Sequence, residues 1–432
     1  MLISDCLNIN SLGHLKIGEC DTIDLAKKYG TPLYVLDEDY LRKTCNLYKK
    51  FLKEYYGKNS YPLYACKAFN CLEICRIMKE EGIGIDVVSG GELYTALKAG
   101  FPPSKIHFHG NNKTIHEIEM AIKNNIGTIV VDNFEELEIV NNISKNYGIV
   151  SNVSIRITPG IDAHTHKAIN TGLLDSKFGF NLENGDALKA SKVAIEMNNI
   201  NFIEIHCHIG SQISIIEPFI LEAKIVMSFI KQIYDNFNYK IKIINLGGGL
   251  GVKYTREEIT LKLEDYIKKI SEIVKEKAHE YSIHVPYLLL EPGRSMIAES
   301  GITLYTVGSI KDIPGIRTFV SVDGGMCDNP RYALYRSNYT CFLANKMNKN
   351  AVKQVTIAGR CCESGDLVQE NVVIPNPQRG DIIAILATGA YNYSMSSNYN
   401  RIPRPAVVMV KDSQSRIIIN RETYEDVIRN DI

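Results

Sequence analysis

Eight short apolar runs recur between about residues 35 and 300: YPLYACKAF, GIGIDVV, KIHFHG, IGTIVVD, NVSIRITPG, FIEIHCHIG, KIINLGGG and VPYLLLEPG. Each is rich in β-branched or aromatic residues and ends in polar or glycine-containing sequence, the pattern of a buried strand. Between them lie segments such as NKTIHEIEMAIKNN, NFEELEIVNNISKN and REEITLKLEDYIKKISEIVKEKAHEY, which repeat apolar residues at helical spacing with charges between. Such helices would cover the strands with their apolar stripes. A doubly wound open sheet shares this alternation, and the count of eight favours a (β/α)8 barrel.

Beyond residue 300 the texture changes to ITLYTVGSI, RTFVSVDGG, KQVTIAG, NVVIPNPQRGDIIAIL, PAVVMVK and RIIINR, with Gly, Pro and Asn between the runs. Strand-rich sequence without long helices predicts a second, all-β domain. The expected division is a barrel over residues 36–300 and a β domain made of 1–35 and 301–432, with the TPLYVLD run at the border. A chain of 432 residues, 45% of them hydrophobic, can fill two such cores.

Charge narrows the function classes. The 49 basic and 49 acidic residues cancel, so no overall field draws the chain to nucleic acid or an anionic membrane. The first twenty residues carry no basic segment followed by an apolar run, and no stretch is long and apolar enough to span a bilayer, so a cytoplasmic location is expected. The eleven cysteines are odd in number and match no disulfide framework or zinc-finger spacing, which predicts reduced thiols.

In a barrel, chemistry gathers where strands end, and the unusual residues fall there. Lys67 follows the run YPLYAC; among apolar neighbours a lysine loses its proton more easily and becomes a Schiff-base nucleophile, although an isolated strand-end lysine is more often simply solvated. Gly247-Gly248-Gly249 closes another run and could bring backbone N–H groups close to a phosphate, or form a tight turn. Glu291-Pro292-Gly293-Arg294 ends the eighth run; its acid and base could pair with each other or serve a cofactor. Cys362-Glu363-Ser364-Gly365-Asp366 sits between strands, where nearby carboxylates suit the thiol to proton donation better than to nucleophilic attack, a buried structural cysteine being the alternative. Three His-x-His pairs, at 107 and 109, 164 and 166, and 206 and 208, raise a rival: a metal-dependent hydrolase built on a barrel. The sequence shows no acidic partner arranged to complete such a site.

Taken in order, TPLYVLD, YACKAFN, GIDVVSGGEL, RITPGIDAHTHKAINTG, DSKFGF, HCHIGSQI, NLGGGLG, EPGRSMIAESG, VDGGMCDNPRYALY, CCESGD and GAYNYSMSSNYNRIPRPA resemble the diaminopimelate decarboxylases, a branch of the fold-type III pyridoxal-phosphate enzymes that also includes ornithine decarboxylase. The resemblance spans nearly the whole chain. It implies a (β/α)8 barrel that binds pyridoxal 5′-phosphate and a C-terminal β-sandwich or β-barrel domain that completes the active site. Lys67 matches the cofactor lysine, His208 the residue stacked on the pyridine ring and Ser211 a phosphate contact. Gly248, Gly249, Gly293 and Arg294 fall in the phosphate cradle, Glu291 faces the ring nitrogen, and Tyr391 closes the phosphate end. For substrate the resemblance implies Arg294, Arg331, Tyr335, Glu363 and Tyr391, with Cys362 as proton donor.

It also implies a homodimer with two shared active sites, in which the CESGD loop reaches the neighbouring subunit, and decarboxylation of meso-2,6-diaminopimelate to L-lysine and CO2, the last step of lysine biosynthesis. The resemblance implies no metal. Arg360, where many relatives have proline, and Asn392, where glycine is common, depart from the family pattern and bear on local loop geometry. Within the fold the competitors are a decarboxylase for another basic amino acid or a carboxylated polyamine, and a racemase. A cofactor-free binding protein is a further alternative, set against the presence of Lys67, Glu291 and Cys362.

Overall fold

The computed structural model describes residues 2–162 and 175–432. They form two compact units, one made of Cys45–Gly251 and Thr260–Ser295, the other of Met1–Thr44, Val252–Ile259 and Met296–Ile432.

Each of the eight apolar runs becomes a strand of the first unit: β1 (Ser60–Ala65), β2 (Gly84–Val87), β3 (Ile106–Phe108), β4 (Thr128–Val131), β5 (Ser151–Thr158), β6 (Ile200–Cys207), β7 (Ile243–Asn245) and β8 (Tyr287–Leu290). All are paired in parallel with their neighbours in sequence order, and β8 returns to β1 through Leu288↔Ser60 and Leu290↔Pro62. That last pairing decides the fold. An open sheet would leave two strands with one neighbour each, whereas here the ring is closed.

The apolar look of the runs hides an alternation. Along β6, Ile203, Ile205 and Cys207 share one face while Glu204 and His206 share the other, and all five are buried. Glu204 lies 3.6 Å from His107 of β3, a strand that does not neighbour β6, so the polar face looks across the barrel interior. The alternate aliphatic residues face the surrounding helices.

Local signals set the helix ends. Thr114 and Glu117 form a reciprocal capping box at the start of Ile115–Lys123, and Asn133 caps Phe134–Tyr147, which ends at Gly148 in the left-handed conformation. The long amphipathic segment expected from residue 256 is helical only from Leu263 to Glu280. The Glu258 carboxylate accepts the backbone N–H groups of Tyr254 and Thr255, which turns the chain, and Val252–Ile259 belongs to the other unit.

In the second unit the run Leu33–Asp37 is buried throughout and lies inside the main sheet, between Gly301–Ile313 and Ala406–Lys411. It was expected at a domain border. A short run apolar on both faces can only be satisfied at the centre of a sheet, so the strand unit begins before residue 36 and continues past it. The long strand Gly301–Ile313 serves two ladders. Its first part pairs with Leu33–Leu36 and Ile382–Leu386, its second with Arg317–Val322, and the register shifts between Val307 and Ile310. A small three-stranded sheet over Leu7–Asp21 completes the unit.

One buried ion pair ties the barrel's β3 and β4 ends together. Lys113 donates to the carbonyls of Gly110 and Val130 at 2.9 and 2.6 Å and to Glu136 at 2.6 Å, with both side chains almost fully enclosed. Removing one partner leaves the other charge buried. Lys113→Met is expected to destabilise the protein by about 3–5 kcal/mol in denaturant unfolding, with much of the loss recovered in the double variant Lys113→Met, Glu136→Met.

Candidate active site

Because the eight strands are parallel, the loops that follow them share one end of the barrel, and charged groups collect there. Lys67 stands in the single turn Cys66–Ala68 directly after β1, its neighbours buried and its own side chain exposed. It lines a cavity of about 300 Å³ together with His208 and Glu291, and with Asp86, His109, Arg156 and His206. Lys67, His208 and Glu291 are thus brought together as the sequence suggested. The other four were not singled out as cavity residues.

Glu291, just beyond β8, is the floor of this cavity and is almost fully enclosed. Its Oε1 lies 2.9 Å from His109 Nε2, at ion-pair distance without an aligned hydrogen bond, and accepts from Asn245 Nδ2 at 2.7 Å; Oε2 lies 3.2 Å from His206 Nε2. Burial works against the charged form, but the two imidazoles outweigh it and hold Glu291 well below the usual carboxylate range. Its neighbour Asp86, with less compensation, is pushed by burial up to about 6. His208 goes the other way: burial first, then the charges of Lys67 and Arg156, depress its imidazole well below the usual range, so its ring is neutral. Arg156 lies over the Phe178 ring at 4.2 Å and 3.9 Å from Asp132, which steers its guanidinium toward the same cavity.

The His-x-His pairs are split by the fold. His206 points into the barrel toward Glu291, while His208, past the end of β6, accepts the Gly248 N–H at 3.3 Å. His107 turns to Glu204 and His109 to Asp86 and Glu291. His164 and His166 lie outside the described residues. Among the described residues, His109, His206 and Glu291 form a group whose ligand atoms lie within 4.8 Å of one another. The acidic partner that the sequence did not reveal for a metal site is therefore present, because β8 delivers Glu291 from more than eighty residues away.

The glycine run answers first to packing. A Cβ on Gly248 would stand 2.2 Å from the Glu291 carbonyl oxygen, and one on Gly249 2.6 Å from that of Gly210, with Gly247 and Gly249 both at positive φ. The loops after β6, β7 and β8 meet here backbone to backbone, which only glycine permits. Beside them Arg294 donates from Nε and Nη2 to Ser211 Oγ at 3.1 and 3.0 Å. Glu291 and Arg294, adjacent in the EPGR segment with Gly293 buried between them, turn to different partners.

The remaining named residues lie in the second unit. The Arg331 guanidinium is buried, stands 5.0 Å over the Tyr335 ring and 5.8 Å over the Tyr391 ring, and donates to Ser337. Tyr391 is in the left-handed conformation at φ 58°. Asn392 needs no glycine: at φ −112° its amide donates to the Thr388 and Ala390 carbonyls and to the Tyr339 hydroxyl. Ten of the eleven cysteines are buried, and Cys362 is the exposed one; its N–H is held by Asn400 and the adjacent Glu363 accepts from Tyr399. Within this chain Cys362 is therefore not a buried cysteine.

Residues 39–298 match the family described as pyridoxal-dependent decarboxylase, pyridoxal binding domain. The chain is 46% identical to the diaminopimelate decarboxylase of Bacillus subtilis, over 98% of this chain and 96% of the relative, and 48% identical to that of Bacillus methanolicus, over 96% of each. The solved diaminopimelate decarboxylase of M. jannaschii in complex with L-lysine superposes with a TM-score of 0.92 at 39% identity, covering 100% of this chain and 99% of that one. The chain belongs to the diaminopimelate decarboxylase family. A lysine/ornithine decarboxylase from Vibrio vulnificus, at 21% identity and a TM-score of 0.76, shares the fold.

For this diaminopimelate decarboxylase relative, the cavity residues that sequence reasoning passed over had one signal in common. Asp86 and Arg156 each interrupt an otherwise apolar run, and a charge on a buried strand needs partners across the barrel. Gly248→Ala is expected to cost about 1–3 kcal/mol by forcing the β7 and β8 loops apart. An unchanged denaturant midpoint would show that the glycines do not answer to packing.

Proposed function

We infer that the chain removes carbon dioxide from meso-2,6-diaminopimelate to give L-lysine, with pyridoxal 5′-phosphate as its cofactor. The observation that carries this reading is the cavity in which the Lys67 amine, the neutral His208 ring and the ionised Glu291 carboxylate face one space. This donor set fits a pyridoxal group. Lys67 would hold its aldehyde carbon, Glu291 its ring nitrogen, and His208 would lie against its face. Arg294 and Ser211, beside the glycine run, would hold its phosphate with the help of Gly248, Gly249 and Gly293, and Tyr391 would close that end.

When bound, the cofactor supplies a sink for the electron pair left as the carbon–carboxylate bond breaks. The chain's own residues do the rest. Glu291, kept ionised by the imidazoles around it, holds a proton at the ring nitrogen through a charge-assisted hydrogen bond. Arg294, Arg331, Tyr335, Glu363 and Tyr391 offer charges and hydroxyls suited to the carboxylate and ammonium at the far end of a diamino diacid. Cys362, an exposed thiol on its loop, delivers a proton to the α-carbon. By the family resemblance that loop would serve a neighbouring copy, and the working form we propose is a homodimer with two shared sites. Eleven cysteines without a disulfide suit a reducing, cytoplasmic setting, and among the described residues no helix is long and apolar enough to cross a membrane.

The test is to record the visible absorption of the purified protein, reduce it with borohydride and map the modified peptide. Modification is expected at Lys67; a colourless protein with Lys67 unmodified would sink the reading. Carbon dioxide release from a panel of amino acids should be fastest with meso-diaminopimelate, and faster release from ornithine, arginine or carboxynorspermidine would overturn the substrate. Cys362→Ala is expected to slow turnover by about 10²–10⁴-fold with little change in cofactor affinity, whereas equal loss of both would mark a structural cysteine.

The cluster of His109, His206 and Glu291 gives the metal-hydrolase reading one concrete footing. The two readings separate by reagent. Chelator is expected to leave the activity intact and borohydride to abolish it; the reverse pattern would transfer the site to a metal.

A further inference from the structure

Asn245, the last residue of β7, is fully buried and bonds both the glycine run and Glu291. Its Oδ1 accepts the Gly247 N–H at 3.0 Å, and its Nδ2 donates to Glu291 Oε1 at 2.7 Å and to Glu204 Oε1 at 3.3 Å. The amide orientation follows from chemistry: a backbone N–H can only donate and an ionised carboxylate can only accept. One side chain therefore fixes the start of the glycine run and the orientation of the carboxylate. Behind it Glu204, with no exposed surface, is paired with His107 at 3.6 Å.

We propose that Asn245 is a positioning residue that sets the geometry and charge of Glu291 toward the cofactor ring, and that Glu204 with His107 forms the charged layer against which it works. The inference rests on the cofactor reading given above. Two carboxylates meet a single amide, which donates to one oxygen of each, so Asn245 stands between Glu204 and Glu291. The titratable and charged groups that act on Glu291 are Asp86 of β2, His107 of β3 with His109 just beyond it, Arg156 of β5, Glu204 and His206 of β6 with His208 just beyond it, and Glu222, while Lys67 lines the same cavity. Among them Asn245 is the neutral donor, and aspartate at that position would remove a donor while adding a like charge.

The experiment uses full-length apoprotein titrated with pyridoxal 5′-phosphate across pH, read by the cofactor's absorption, for the wild type, Asn245→Asp and Glu204→Gln, with thermal unfolding of each apoprotein recorded in parallel. Asn245→Asp is expected to weaken cofactor binding by about tenfold. It should also move the acid limb of the absorption profile up by about one pH unit, because an added carboxylate disfavours ionised Glu291. Glu204→Gln removes a negative charge and is expected to move that limb down. A purely structural role would not displace the two in opposite directions. Asn245→Asp within about twofold of wild type and with the same limb overturns the proposal. So does an unmoved limb in Glu204→Gln, which decides the matter if Asn245→Asp does not fold. Wild-type protein that acquires no cofactor absorption overturns the cofactor reading and takes this inference with it, an outcome distinct from variants that match a loaded wild type.

Discussion

A carboxylate inside a protein is costly unless donors surround it, and the barrel is arranged around one such group. Glu291 stays ionised because His109, His206 and Asn245 reach it from β3, β6 and β7. An isolated charge there would cost several kcal/mol and would take up a proton instead. The ionised state is therefore a property of the closed ring of strands. Opening the ring at any of these strands would withdraw one of these partners and return Glu291 toward neutrality.

The same crowding explains why the loops carry glycine. To bring Glu291 under the cavity, the loop after β8 must pass within contact of the loop after β7, and that loop must in turn touch the one after β6. Side chains at Gly248 or Gly249 would hold these backbones apart. The glycine run thus positions the carboxylate and, beside it, the Arg294–Ser211 pair. The Glu291 carboxylate and the Arg294–Ser211 pair are set by one piece of packing.

Much of this was legible in the amino-acid order, for identifiable reasons. The eight strands announced themselves because a barrel strand must be apolar on the side that meets the helices, and the helix starts at Thr114 and Asn133 announced themselves through their caps. Lys67, Glu291 and Arg294 stood out as polar residues where apolar runs stop, whereas His208 and Ser211 were assigned to a cofactor only through the family resemblance. Less legible were residues whose meaning depends on a distant partner. Asn245 reads as an ordinary polar residue before a glycine turn, and only contact with Glu291 and Glu204 gives it work. Leu33–Asp37 was read only as lying at the border of the β domain, because a five-residue apolar run does not say how central its place in a sheet is. Residues 256–262 looked helical because their spacing is amphipathic, while a side-chain cap at Glu258 turned the chain there.

The sequence by itself determined the eight-strand count, the β-rich second unit and the family, since these rest on local periodicity and on ordered motifs. The tertiary structure alone decided that the ring closes, because closure is a pairing between β8 and β1, strands separated by more than two hundred residues. It likewise decided that His109, His206 and Asn245 converge on Glu291, that Glu291 and Arg294 part company, and that Cys362 is the exposed thiol among eleven. Each of these is a relation between groups far apart in the chain, set by burial and electrostatics in space, and no local spacing encodes it.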